Sequence, residues 1–341
     1  ADLRDSVFDN SFGMVWTVAC SPHGQQIAAG SIDGRVTLWN AQSAEQLASW
    51  SAHASAVYAL AVSPDGLLLA SGGADGLIRL WDIGSENRYG DGGPGIPPDS
   101  RHAPGSDLLP SRVNSRERRK VAEFRDHAAA VQQVLFRTAR AARPDEWELI
   151  STSDDLTIRL WHVASGETRR ILRGHRDFVV SAALSPDGRW LASGSRGHSP
   201  QEQTLCLWDL ADGARLCTIE HAAWVNAVAV SPNGQWLASG GSDGTVRLWP
   251  FAKLLQDQEA ALDHEITLQY HEGAIQSLAF SADSQILAGG STDRTIRLWD
   301  VGRRQLRHVL TGHTGWAQSI AFDPTSDSLV SGSWDLSLIH I

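Results

Sequence analysis

Cysteine, methionine and tyrosine are scarce in this chain, with 3 Cys, 1 Met and 3 Tyr among 341 residues. Cys20, Cys206 and Cys217 form no CxxC pair, which excludes a disulfide framework and a cysteine-based zinc or redox site. Reduced, buried thiols in a cytoplasmic protein are the expectation. No stretch of 18 apolar residues exists, and the N-terminus lacks a basic segment running into an apolar one, so neither a membrane span nor a secretory signal is read. Basic residues are outnumbered 29 to 39, for a net charge of −10. Long-range repulsion then disfavours nucleic acid or an anionic membrane as the main partner. GxxxxGK[ST], HExxH and GxSxG leading into a helix are all absent. Of the histidines, His23, His102, His162, His198, His264, His308 and His340 share no ligand spacing with one another, with Cys or with a carboxylate cluster. No metal, cofactor or enzymatic activity is expected. The chain opens at Ala1, as a processed protein or a piece of a larger one does.

Tryptophan, by contrast, is abundant at 14 residues, and six of these close a recurring phrase. The phrase reads VTLWN at 36 to 40, IRLWD at 78 to 82, IRLWH at 158 to 162, LCLWD at 205 to 209, VRLWP at 246 to 250 and IRLWD at 296 to 300. Trp39, Trp81, Trp161, Trp208, Trp249 and Trp299 are separated by 42, 80, 47, 41 and 50 residues, and removing the 37 residues from Gly84 to Lys120 brings the 80 down to 43. A period in the low forties, each unit holding several short alternating strands, is the signature of a radial propeller. Residues 225 to 249 give the template: strand a (VNAVAV), turn SPNG, strand b (QWLAS), turn GGSDG, strand c (TVRLW). First strands start at Val15, Val57, Val131, Val179, Val225, Ile275 and Ala317. The last unit runs out at Ile341, and the segment Leu3 to Phe8 lies where its missing outer strand belongs. Pairing the two would remove an open sheet edge.

These phrases, the GH pairs at 174 to 175 and 312 to 313, the SPDG turns at 63 to 66 and 185 to 188 and the WD pairs at 81, 208 and 299 resemble the WD-repeat β-propeller family over nearly the whole chain. The resemblance implies an all-β, seven-bladed ring whose N-terminal strand closes the last blade. The expected single domain spans 1 to 341, with blade one at 15–50, blade two at 57–124 (flexible insert 84–120), blade three at 131–172, blade four at 179–219, blade five at 225–268, blade six at 275–310, and blade seven at 317–341 plus strand 3–8.

Each unit also assembles a His, a Ser, an Asp and a Trp in order: His53, Ser71, Asp75, Trp81; His127, Ser151, Asp155, Trp161; His221, Ser239, Asp243, Trp249. Ser, His and Asp alone would spell a hydrolase, but that chemistry needs one exposed hydroxyl beside an oxyanion hole, not a set repeated around a ring. In the family such residues form structural hydrogen-bond chains. Three units depart from the pattern: Ser11 and Ala29 replace His and Ser in blade one, Gly289 replaces Ser in blade six, and blade four offers only Glu202 near the Asp position. These blades are expected to be softer. The ending LSLIHI, with Ile341 in place of Trp, leaves closure of the seam open.

By the family's geometry one rim carries the d-to-a and b-to-c loops. Met14, Phe178, Trp224 and Trp316 fall where the chain enters strand a on that rim, Trp16 and Tyr58 two positions after the corresponding entry residues, and Trp334 in a b-to-c turn. Met14, Trp16, Tyr58, Trp316 and Trp334 belong to the neighbouring blades seven, one and two, so one contiguous aromatic patch is expected, a natural anchor for a protein or peptide partner. Trp190 and Trp236, at apolar positions of strand b, are expected in the core. The opposite rim carries the insert 84 to 120 with its basic cluster Arg112, Arg116, Arg118, Arg119 and Lys120, the loop 137 to 147, and FAKLLQDQEAALDHE, in which Leu254, Leu255, Ala261 and Leu262 recur at helical spacing. Two functions are read from this: a non-catalytic scaffold for protein complexes, or a C-terminal sensor holding an upstream module of the same polypeptide inactive. The second rests on the opening ADLRDSVFDNSFGMVWTVACSPHG, which looks like the junction at which WD-repeat regions begin in bacterial signal-transduction ATPases of the NACHT and NB-ARC kind and in related kinases.

Overall fold

The computed structural model of the chain describes residues 7–8, 13–84, 118–137, 146–197, 199, 202, 204–256, 264–268, 271–326 and 328–340. Seven four-stranded antiparallel sheets are arranged as a propeller. The innermost strands, a, are Val15–Cys20, Val57–Val62, Val131–Arg137, Val179–Leu184, Val225–Val230, Ile275–Phe280 and Ala317–Phe322. Each starts with an apolar, fully buried residue. In six blades strands b, c and d follow in order, and in the seventh the outer strand is Val7–Phe8. It pairs antiparallel with Leu338–His340, Val7 opposite Ile339 and Phe8 opposite Leu338. LSLIHI therefore continues as a strand, with Leu338 and Ile339 buried, and the ring is closed by both chain ends.

The a-to-b turns close by local chemistry. In blade two the Ser63 hydroxyl donates to Asp65 Oδ1 (2.6 Å) and accepts the Leu68 N–H (2.8 Å), while Gly66 takes φ +73°. A Cβ at that φ would crowd its own backbone, so glycine ends the turn. Ser231, Asn233 and Gly234 repeat the arrangement in blade five.

Every strand a carries a bulge at its second residue, seen as a break in pairing between Val15 and Thr17, Val57 and Ala59, Val131 and Gln133, and likewise in the other four blades. A bulge leaves one residue out of the ladder and re-aims its side chain. Here that residue is Trp16, Tyr58, Gln132, Val180, Asn226, Gln276 or Gln318, and all seven line the central channel. One residue further on, side chains stitch neighbouring blades: Ser319 Oγ accepts the Val18 N–H, Gln133 Oε1 the Ala182 N–H, Ser181 Oγ the Val228 N–H, and Ser277 Oγ the Ile320 N–H.

Blade-to-blade packing depends on glycine. Gly30, Gly72, Gly194, Gly240, Gly290 and Gly332 occupy the same place in strand b, against the first residue of strand a in the next blade. A Cβ on Gly240 would stand 2.5 Å from Ile275 Cγ2, and one on Gly72 2.7 Å from Val131 Cγ1. Blade three departs with Thr152, fully buried and with its hydroxyl unpartnered among the described residues. The strand-c tryptophans Trp81, Trp161, Trp208, Trp249 and Trp299 complete the core.

The sequence expectation places Trp190 and Trp236 in the core, but both are half-buried. They open strand b at the rim, pack one side against apolar clusters, and Trp190 carries the Arg189 guanidinium 4.2 Å from its ring centroid. The expected helix is present as Phe251–Gln256, with Phe251 and Leu254 buried; Ala261 and Leu262 lie outside the described residues.

The close approach generates a test. Gly240→Ala should destabilise the protein by about 1–3 kcal/mol through overpacking, measured as a shift in urea midpoint. Gly302→Ala, whose Cβ meets nothing nearer than Asp300 Oδ1 at 3.6 Å, should leave the midpoint in place. Equal midpoints for the two variants would show that the blades do not need this glycine.

Candidate binding face at the channel mouth

Catalysis by the repeated sets is answered by their burial. Ser71, Ser151 and Ser239 have no exposed surface. In blade two Trp81 Nε1–H donates to Ser71 Oγ (2.9 Å), Ser71 Oγ lies 2.8 Å from His53 Nε2, and His53 Nδ1 lies 2.9 Å from Asp75 Oδ1. Asp75 and Arg79 both flank the His53 Nδ1, Arg79 Nη1 at 2.6 Å, and the Ser71 hydroxyl is engaged on both sides, by Trp81 and by the ring. Blade three repeats this through Trp161, Ser151, His127 and Asp155 at 2.8, 2.7 and 2.7 Å. Burial alone would raise the Asp75 and Asp155 carboxyls, but bonds from His53 and Arg79 to the first, and from His127 and Thr157 to the second, hold both well below the usual carboxylate range.

Blade five, the sequence template, breaks its own pattern. Trp249 Nε1–H reaches Ser239 Oγ at 2.9 Å, but among the described residues neither His221 nitrogen has a partner. Asp243 is turned outward, its side chain 30% exposed against 16% for Asp75, and is held by the Thr245 N–H and Arg247. Burial, aided by the Arg247 charge, lowers His221 to about 4. In blade four Glu202 does not take the Asp place: it accepts the Ser199 N–H, and Thr204 Oγ1 faces His175 Nδ1 at 3.3 Å instead. Burial and Arg215 lower His175 to about 3. In blade six His271 Nε2 turns to the Gly289 carbonyl at 3.2 Å and Trp299 Nε1 has no partner among the described residues. Ser11 lies outside the described residues; Ser31, which meets Asp33, supplies the polar contact of blade one. Blade seven keeps His313, Ser331 and Asp335 bonded at 2.9 and 3.1 Å.

The aromatic residues of blades two, one and seven touch one another. Tyr58 and Trp16 lie 4.9 Å apart between ring centroids, Trp16 and Trp334 5.6 Å, and Trp334 stacks on Trp316 at 3.9 Å and 28°. The four rings form one row from the channel wall to the outer rim. Trp316 is 39% exposed and Met14 37%. Phe178 and Trp224 stand apart on blades four and five, 46% and 40% exposed, and Trp224 Nε1–H is tied to the Gly197 carbonyl at 2.6 Å. Of the basic cluster, Arg112 and Arg116 lie outside the described residues. Lys120 is paired with Glu123 (2.9 Å), which also receives Arg79 and Arg125, while Arg118 and Arg119 begin the run into strand d.

Facing the aromatic row across the mouth are groups that sequence reasoning missed. Gln132 Nε2 donates to both Asp154 oxygens at 3.0 Å. Arg196 Nε–H donates to Asn226 Oδ1 at 2.9 Å, and Asn226 Nδ2–H to the Ile275 carbonyl of the next blade at 2.9 Å. Trp16, Tyr58, Gln132, Arg196 and Asn226 line one cavity of about 200 Å³. Asp154, Arg196 and Trp334 occupy equivalent places, just after strand b. Reading that column of the repeat adds Asp154 and Arg196 to the Trp334 already read from it.

The family model of the WD domain, G-beta repeat, matches residues 6–40, 44–82, 166–209, 213–250, 263–300 and 304–339. The chain belongs to that family. Among curated relatives, Nuclear distribution protein PAC1 of Yarrowia lipolytica is 30% identical over 119 residues, 33% of this chain and 26% of that protein. Small ribosomal subunit protein RACK1 of Drosophila melanogaster is 31% identical over 78 residues, 23% of each chain. Coronin-7 of Mus musculus is 49% identical over 45 residues, 13% of this chain and 5% of that protein. The chain thus spans about a quarter or less of the length of these relatives, all of them eukaryotic.

The buried histidines and the bonded aspartates predict a pH response. His175 and His221 have lowered values when folded, so the unfolded chain protonates first; their contribution is complete above about 6.5 and is lost as pH falls toward 4 and 3. His221 alone corresponds to about 3 kcal/mol between pH 7 and 4. Asp75, Asp155, Asp293 and Asp335, also lowered, add a second loss below about 4. The urea midpoint should therefore decline from pH 6.5 downward, and His221→Leu should flatten the slope between 6.5 and 4. A parallel slope in that variant would place the proton uptake elsewhere. Gly289→Ser, which restores the repeat on paper, should not stabilise blade six, because its Cβ would lie 2.8 Å from Trp299 Cζ3.

Proposed function

We propose that this propeller is a non-catalytic interaction module that docks a protein or peptide partner on the channel-mouth rim. The observation that carries the reading is the stacked row Tyr58, Trp16, Trp334 and Trp316 with Met14 beside it. Large rigid rings lose little entropy on binding and bury much area, which is why they concentrate interface energy. Phe178 and Trp224 form a second, smaller contact on the same rim. Two relatives carry names that mention an assembly or process, a ribosomal subunit and nuclear distribution, which agrees with a protein that works by binding. The reading places the protein in the reducing cytoplasm, supported by three free cysteines.

A second reading, supported by the opening segment and its likeness to the start of such regions in bacterial signalling ATPases and kinases, makes the partner an upstream module of the same polypeptide. The rim would then switch that module in signal transduction, and the same surface would serve.

Partner capture tests the site. Trp316→Ala or Trp334→Ala should weaken binding of a captured partner by at least tenfold, about 1.4 kcal/mol, with the unfolding midpoint retained. Deletion of residues 85–117, the connection that leaves strand c at Gly84 on the opposite rim and rejoins the described chain at Arg118, should leave binding unchanged. The reverse pattern would move the docking site to that rim.

A further inference from the structure

The channel mouth holds an arginine whose charge the protein does not neutralise by contact. Arg196 is partly buried, and its Nε–H is fixed by Asn226, itself fixed by the Ile275 carbonyl. Among the described residues it forms no ion pair, and its Nη groups meet no acceptor. Asp154, the nearby carboxylate, is instead held at both oxygens by Gln132. Each charge is thus clamped by an amide and kept from the other. Burial pushes the Arg196 guanidinium below its usual value, Asp154 only partly offsetting it. A cation removed from water without a contacting anion is costly, and a pre-positioned guanidinium fork matches a carboxylate in two parallel bonds.

We propose that Arg196 receives a carboxylate of the docked partner peptide, an acidic side chain or a C-terminus, while the apolar residues flanking it pack on Trp16 and Tyr58 in the same cavity. This rests on the mouth being the peptide-docking face and adds the chemistry it selects. The net charge of −10 opposes an acidic peptide only at long range, where salt screens it over about 8 Å. At hydrogen-bond distance the fixed guanidinium dominates.

The test is calorimetric titration of the full chain, in 150 mM salt, with acetylated and amidated Ala-Leu-Xaa-Leu-Ala, where Xaa is Glu, Gln or Arg, and with acetyl-Ala-Leu-Leu bearing a free carboxylate. The Glu peptide should bind at least tenfold more tightly than the Gln peptide, and Arg196→Gln should abolish that difference. Arg196→Lys, retaining charge without the fork, should keep part of it. Preference for the free C-terminus over the Glu side chain, also lost in Arg196→Gln, would identify the terminus as the source. Equal binding of Glu and Gln peptides to the unaltered protein overturns the carboxylate assignment; if that binding is still lost in Trp16→Ala, the docking face stands without it. Preference for the Arg peptide, lost in Asp154→Asn, overturns it in favour of a cation. Binding of no peptide overturns the proposal, and partner capture with the Trp316→Ala and Trp334→Ala variants separately decides the docking face.

Discussion

The structure depends on how closely each blade approaches the next. A strand-b glycine lets the first side chain of the following strand a sit almost on its backbone, six times around the ring. Interiors packed near crystal density leave no slack for an extra methyl group there. The consequence reaches the centre of the molecule. The inner strands surround a channel, and the bulge in each strand a turns one residue per blade into it. The channel mouth is thus a product of the packing rule.

Once the frame repeats, function has to reside where the repeats differ. The His, Ser, Asp and Trp chains are nearly the same in blades two and three and serve the same end, giving buried polar atoms their partners at roughly 1 kcal/mol per bond. The bulged column is not uniform. It runs Trp, Tyr, Gln, Val, Asn, Gln, Gln from blade one to blade seven. The column just after strand b is equally mixed, with Asp154 and Arg196 on blades three and four and Trp334 on blade seven. The mouth is therefore apolar on one side and charged on the other, an asymmetry the fold does not require.

Most of the frame was legible from the chain. The Trp period fixed the number of complete units, and alternation bounded by Pro and Gly turns placed the first residue of every inner strand. The aromatic row was legible too, because counting from the His position puts Trp16, Tyr58 and Trp316, and the b-to-c turn before Asp335 puts Trp334, on adjacent blades, where the rings touch. What escaped depended on orientation. His221 has the same neighbours in sequence as His53, yet whether it bonds is decided by Asp243 turning outward to Arg247. Glu202 falls near the Asp position of blade four along the chain, but Thr204 lies in the register that faces His175. Trp190 and Trp236 occupy apolar positions, but the strand begins at the rim and leaves one face to solvent. Arg196 could be read only as a departure within the column just after strand b; its fixing by Asn226 on another blade could not.

Rigidity on the two sides of the mouth has different physical origins. On the apolar side the rings brace one another: Trp334 is covered by Trp316 closely enough to bury its indole nitrogen with no partner among the described residues, a cost that stacking over a large area offsets. On the charged side the bracing is by hydrogen bonds from amides, which hold Asp154 and Arg196 in place without cancelling either charge. An ion pair between them would have been the cheaper arrangement for the isolated protein. Keeping them apart leaves polar groups at a half-buried surface with unspent bonding capacity, while the rings opposite need no rearrangement to be covered. A surface so arranged contributes its own ordering before any partner arrives, and the entropy that association must overcome falls mainly on the incoming chain.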